Sequence, residues 1–86
     1  MMSKMKKELN VQEIENILNG DIRYLFLAIL ISSDSLNCKE DCEDSLYILN
    51  LINDNIDKLQ VKDIDSLREF VKNGLEIVNR EIKNYE

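Results

Sequence analysis

The sequence predicts an all-α fold: a compact bundle of about four helices, two short ones first and two long antiparallel ones after them. Three observations carry this. There is no proline, and Gly20 and Gly74 are the only glycines, so the tight turns of a multistranded sheet are poorly supplied. The stretches 40–60 and 63–86 run almost without breakers. Within both, apolar residues recur at three- and four-residue steps, the spacing that lines one face of a helix.

Residues 1–8 have no periodic apolar face and read as a loose basic arm, leaving 9–86 as a single helical-bundle domain. Asn10 with Glu13 three residues later reads as a capping box. It opens a short first helix whose Val11, Ile14, Ile17 and Leu18 share a face until Gly20 stops the turn. Asp21 is the expected cap of a second helix over 22–33. Its run Tyr24–Ile31 is apolar on every side, so this helix is expected at the centre of the bundle. A buried strand would suit the same run, and the absence of a partner strand decides for helix.

Asn37 or Cys38 begins the third helix, with Glu40, Asp41, Glu43 and Asp44 in its first turns, where carboxylates oppose the positive end of the helix dipole. Cys42, Leu46, Leu49, Ile52, Ile56 and Leu59 form its stripe, which predicts a long helix through Leu59. Asp63 is the expected cap of the fourth helix, striped by Ile64, Leu67, Val71, Leu75, Val78, Ile82 and Tyr85.

Turning the stripe of the third helix inward leaves Glu40, Glu43, Asp44, Tyr47, Asn50, Leu51 and Asp54 on the opposite arc. Tyr47 and Leu51 have two readings: contact with the short helices, or an anchor pair ringed by carboxylates, as at an interface with an apolar centre and polar rim. Phe70, Gly74 and Ile77 lie beside the main stripe of the fourth helix. Gly74 costs about 1 kcal/mol relative to alanine in a helix interior, so a close approach is expected there. The approaching body is either the second helix of the same chain or a second copy.

The formal net charge is −6. With Lys4, Lys6, Lys7 and Glu8 set aside, eight basic residues face sixteen acidic ones, and nine of the acids lie between Asp34 and Asp65. Such a surface repels phosphates, so direct nucleic-acid binding is not expected and a basic protein partner is. The charge run is equally the mark of a merely solvated face.

The chain has no histidine, no glycine-rich loop and no nucleophile elbow, so it is not expected to be an enzyme. Cys38 and Cys42 cannot make a four-coordinate metal site alone, and four-residue helical spacing holds them apart for a disulfide; Cys42 reads as core and Cys38 as an exposed thiol. No metal or cofactor is expected. No apolar run approaches the ~18 residues of a membrane span. Polar residues Glu8, Asn10 and Gln12 stand where a secretory signal would place its apolar stretch, so the expected location is the cytoplasm. Codon-driven richness in Ile, Asn and Lys points to a low-GC bacterium or its phage.

Two functions follow. One is a small inhibitor or regulator that occupies a basic, nucleic-acid-handling surface of a partner protein, using Glu40, Glu43, Asp44, Asp54 and Asp57 for charge and Tyr47 and Leu51 as anchors. In style, though in no sequence motif, this is the manner of anti-CRISPR proteins of phages and mobile elements. The other is a homo-oligomeric structural or antitoxin-like module that pairs through Phe70, Gly74 and Ile77.

Overall fold

The capping box at Asn10 forms as the sequence predicts. The Glu13 N–H donates to Asn10 Oδ1 at 2.9 Å and the Asn10 N–H donates to Glu13 Oε1 at 3.0 Å, so two amides at the helix start are satisfied reciprocally. In this computed structural model, which describes residues 10–32 and 34–86, the box opens helix α1, Val11–Leu18. Helices α2 (Arg23–Leu30), α3 (Lys39–Asp54) and α4 (Ile64–Ile82) follow, and then a 3-10 turn, Lys83–Tyr85. The described residues contain no strand, so the fold is an all-α bundle with two short helices before two longer ones. The basic arm expected over 1–8 lies outside the described residues.

α3 and α4 run antiparallel. Cys42 lies near enough to Glu81 for the carboxylate to act on its thiol, Leu49 packs on Gly74, and Asp57, just past α3, bonds Arg68. Positions thus descend along one helix as they ascend along the other, which a short connection over 55–63 imposes. Cys42, Ile48, Leu49 and Ile52 of α3 and Leu67, Val71 and Val78 of α4 are essentially without exposure, and Ile14 and Leu18 of α1 and Leu27 and Leu30 of α2 complete the core. Removing these side chains from water is the main favourable term in the fold.

Several boundaries differ from expectation for local reasons. α3 stops at Asp54 and not at Leu59. The Asn55 side chain donates to the Leu51 carbonyl at 2.8 Å, and the Ile56 and Lys58 amides return to Asn53 and Asn55, turning the chain. Ile56 and Leu59 are nonetheless buried, because the turn lays them on the same core. α2 is shorter than 22–33: Ile22 holds the N-cap position with no side-chain bond, Asp21 caps nothing, and the Ser32 hydroxyl bonds the Ile29 carbonyl at the far end. Ser33 is outside the described residues.

Nor does Gly20 end α1 through a left-handed turn. Asn19 is the C-cap in the right-handed region, and neither glycine has positive φ. The left-handed residue among those described is Asp63, at φ 54°, one of the residue types that tolerate that region. Asp63 does precede α4, but its side chain makes no cap bond.

The largest correction concerns α2, which is peripheral and not central. Only Arg23, Leu27 and Leu30 of its eight residues are buried. α3 takes the middle instead, packing on both α4 and α1, while α2 packs on α1. A helix buried all round needs neighbours on every side, and 86 residues provide too few helices to surround both α2 and α3.

A clasp ties the α1–α2 pair to the connection before α4. The Gln60 N–H donates to Glu15 Oε2 at 2.7 Å, Asn19 Nδ2 donates to the Gln60 carbonyl at 2.8 Å, and Arg23 Nη1 donates to the Lys62 carbonyl at 2.9 Å. Arg23 is only 7% exposed, and among the described residues it pairs with no carboxylate. Its charge is met by carbonyl dipoles and by the Tyr24 ring, whose centroid lies 5.2 Å from the guanidinium carbon.

Candidate functional site

The acidic arc of α3 survives in narrowed form. Glu40, Glu43, Asn50 and Asp54 are exposed, and Tyr47 stands among them at 42% exposure. Asp44 does not belong to the arc, because it is buried at 5% exposure, and Leu51 is half-buried against the core. Both displacements have one cause. α3 packs on two helices, so its buried band reaches beyond the single seam to Asp44, Ser45 and Ile48. Asp57 lies beyond the helix and spends its charge on Arg68 at 2.7 Å. The expected anchor pair therefore reduces to Tyr47 alone.

Phe70 and Ile77 are half-buried against the core, and Gly74 is fully enclosed. A β-carbon on Gly74 would meet Ile31 Cγ2 at 3.2 Å and the Leu49 δ-methyls at 3.4 Å. The close approach expected at this glycine is thus made by the chain itself, and it needs no second copy. Gly74→Ala is expected to change stability by less than about 1 kcal/mol, since a helix-propensity gain of about that size offsets the tight contact with Ile31. Gly74→Leu overpacks the seam and should cost about 2 kcal/mol or more. Thermal unfolding of both variants checks this; a Gly74→Leu chain as stable as the parent would mean that the seam is open.

The surface that sequence reasoning missed is on α2. Ile22, Tyr24, Leu25 and Ile29 are 55%, 68%, 62% and 49% exposed. Rotation by about 100° per residue puts Tyr24, Ala28, Leu25, Ile29 and Ile22 on one continuous arc, opposite Arg23, Leu27 and Leu30. Uniform apolarity hid this, because a helix with no polar side gives no sign of which side faces out. Arg23 was the available clue: the one charged residue in the run marks the face pinned to the 60–63 connection.

A surface cavity of about 320 Å³ lies at the carboxyl end of α2, lined by Ile31, Leu36, Asn37, Ile77, Glu81 and Tyr85. The Tyr85 hydroxyl is engaged, donating to the Leu36 carbonyl at 2.8 Å. Cys42, buried beneath, is held above the ordinary thiol range by burial first and by the charge of Glu81 next. Cys38 is exposed and Cys42 buried, both as free thiols, as their spacing predicts. Among the described residues no cluster of Cys, Asp and Glu is arranged to hold a metal ion, and no helix is long and apolar enough to cross a membrane.

Compared with protein-family models, curated proteins and solved structures, the chain matches none, so its own geometry carries the functional argument.

Proposed function

We propose that the chain is a small protein-binding regulator or inhibitor, without catalysis of its own, that docks on a partner protein through the apolar face of α2. The supporting observation is that Ile22, Tyr24, Leu25 and Ile29 stand exposed together on a helix whose other face is packed. A contiguous apolar patch left in water is unfavourable and marks a surface that a partner covers. A tyrosine among aliphatic side chains is a composition suited to an interface core. The net charge of −6, with Glu40, Glu43 and Asp54 exposed on α3, favours a basic partner surface and disfavours nucleic acid itself. A protein that handles nucleic acid in a bacterial or phage-infected cytoplasm offers such a surface. Occupying it would inhibit by occlusion, in the style of anti-CRISPR proteins.

Site-specific photo-crosslinking tests this reading. A photoreactive residue at position 25, at 47 or at the exposed Lys72 is introduced in turn, and the crosslinked mass is read after irradiation in bacterial cells. Position 25 is expected to give a discrete heteromeric product that position 72 does not. A product of twice the chain mass from position 25 would instead establish a homo-oligomer, and products from position 47 alone would move the binding face to the acidic arc.

A further inference from the structure

The exposed face of α2 carries charges of both signs at its amino end and is acidic at its carboxyl end. At the amino end, Asp21 and Asp63 line the same surface depression as Tyr24, balanced there by the exposed Lys62 and the buried Arg23. At the carboxyl end, Ile31 forms a wall of the cavity that Glu81 lines, and Asp34 is exposed three residues further along the chain. Between Asp21 and Lys39 the only basic residue is Arg23, which is buried. The patch is therefore apolar along its length and negative at its carboxyl end.

The cavity itself has an unusual lining. Ile31, Leu36, Ile77 and the Tyr85 ring are apolar, Asn37 and Glu81 are polar, and the Tyr85 hydroxyl is already bonded to Leu36. Glu81 is half-buried there and forms no ion pair with any described residue. Its charge reaches inward, helping to raise Cys42 and Tyr85 after burial has done so first. A carboxylate on a cavity of mixed apolar and polar lining, with no cation among the described lining residues, suits a guest with an aliphatic stem and a positive head.

We infer that the partner segment received by α2 is an amphipathic helix with basic residues flanking its apolar stripe, one of whose lysine or arginine side chains enters the cavity to pair with Glu81. This rests on the reading of α2 as the docking face and adds the chemistry of what docks. Helix-on-helix burial along an i, i+3, i+4, i+7 stripe supplies the apolar contact, and Glu81 and Asp34 at the carboxyl end select the basic charge. A second copy of this chain fits poorly. Parallel pairing of two α2 faces sets the acidic carboxyl ends against each other, and either orientation brings together bodies that each carry −6 without supplying a cation for both Glu81 side chains.

The test uses a designed helical peptide of about 18 residues, five turns, with a leucine stripe flanked by lysine and arginine. It is compared with a charge-reversed version carrying glutamate at the basic positions and with a scrambled version lacking the stripe. Fluorescence anisotropy at physiological ionic strength is expected to rank the basic striped peptide at least tenfold tighter than either control. Glu81→Gln is expected to weaken that binding about tenfold, equivalent to about 1.4 kcal/mol, with the thermal midpoint unchanged. Equal affinity for the charge-reversed peptide, or no effect of Glu81→Gln, overturns the inference. In that event Leu25→Gln still separates the two levels: if it weakens peptide binding, the α2 face stands as a docking site without the basic selection, and if it does not, the face itself falls. Association with phosphatidylcholine vesicles in place of any peptide, or a salt-insensitive dimer by light scattering, also overturns the inference.

Discussion

Leu49→Ala is expected to remove about 3 kcal/mol of stability. Leu49 has no solvent exposure, and both of its δ-methyls lie where a β-carbon on Gly74 would be only 3.4 Å away, so it fills the space between α3 and α4 that the glycine opens. Alanine leaves that space empty, and the helices cannot collapse into it without moving Ile31 as well. For a domain of this size, whose whole stability is roughly 5–10 kcal/mol, the midpoint of thermal unfolding should fall by about 15 °C. Urea unfolding should show a lower midpoint with an unchanged slope. Adding Gly74→Ala to the same chain places a methyl beside the new void, so the double variant should be less destabilised than the two single effects combined. A loss below about 1 kcal/mol for Leu49→Ala would mean that the antiparallel pair is loosely packed.

Leu25→Gln with Ile29→Gln is expected to have the reverse profile, with little effect on the fold and a large one on association. Glutamine is nearly as good a helix former as leucine, and both positions face water, so stability should change by less than about 0.5 kcal/mol per site. Binding of the apolar dye ANS should drop, and capture of the partner should weaken at least a hundredfold, about 3 kcal/mol, because the two residues occupy the middle of the exposed arc. A fall of 10 °C or more in the thermal midpoint, about 2 kcal/mol for a chain of this length, would show that this face is packed in solution and would falsify its assignment as a docking surface.

What was legible in the sequence is what depends on neighbours along the chain. The reciprocal bonds of Asn10 and Glu13 span three residues, and the stripes holding Leu49, Ile52, Leu67, Val71 and Val78 need only helical periodicity. The rest depends on what stands across space. Ile56 and Leu59 continue the stripe of α3 by spacing but reach the core through a turn, because chain reversal can bury a residue as well as helix rotation can. Asp44 reads as solvated when only one stripe of α3 is turned inward, whereas α3 packs on α1 as well as on α4, the contact with a short helix that is one of the two readings of this arc. Tyr24, Leu25 and Ile29 looked buried because apolarity reports a tendency, not the presence of a neighbour. The exposed apolar face accordingly lies on α2 and not on the arc with Tyr47, and Glu81, which no pattern singles out, lines the cavity at the carboxyl end of α2.

The clasp of Glu15, Asn19 and Arg23 on residues 60–63 sets the order in which the molecule opens. α3 and α4 need one short loop to meet, whereas these clasp bonds join residues 39 to 45 apart in sequence and carry most of the ordering cost of holding α1 and α2 in place. When they break, the amino-terminal pair can swing away as one cooperative unit while the long pair persists. Amide protons of α2 should therefore exchange through this sub-global opening, ahead of those in the middle of α3. A partner gripping α2 in its docked position would slow that exchange by mass action, leaving in the protection pattern of one short helix a record of occupancy at its outer face.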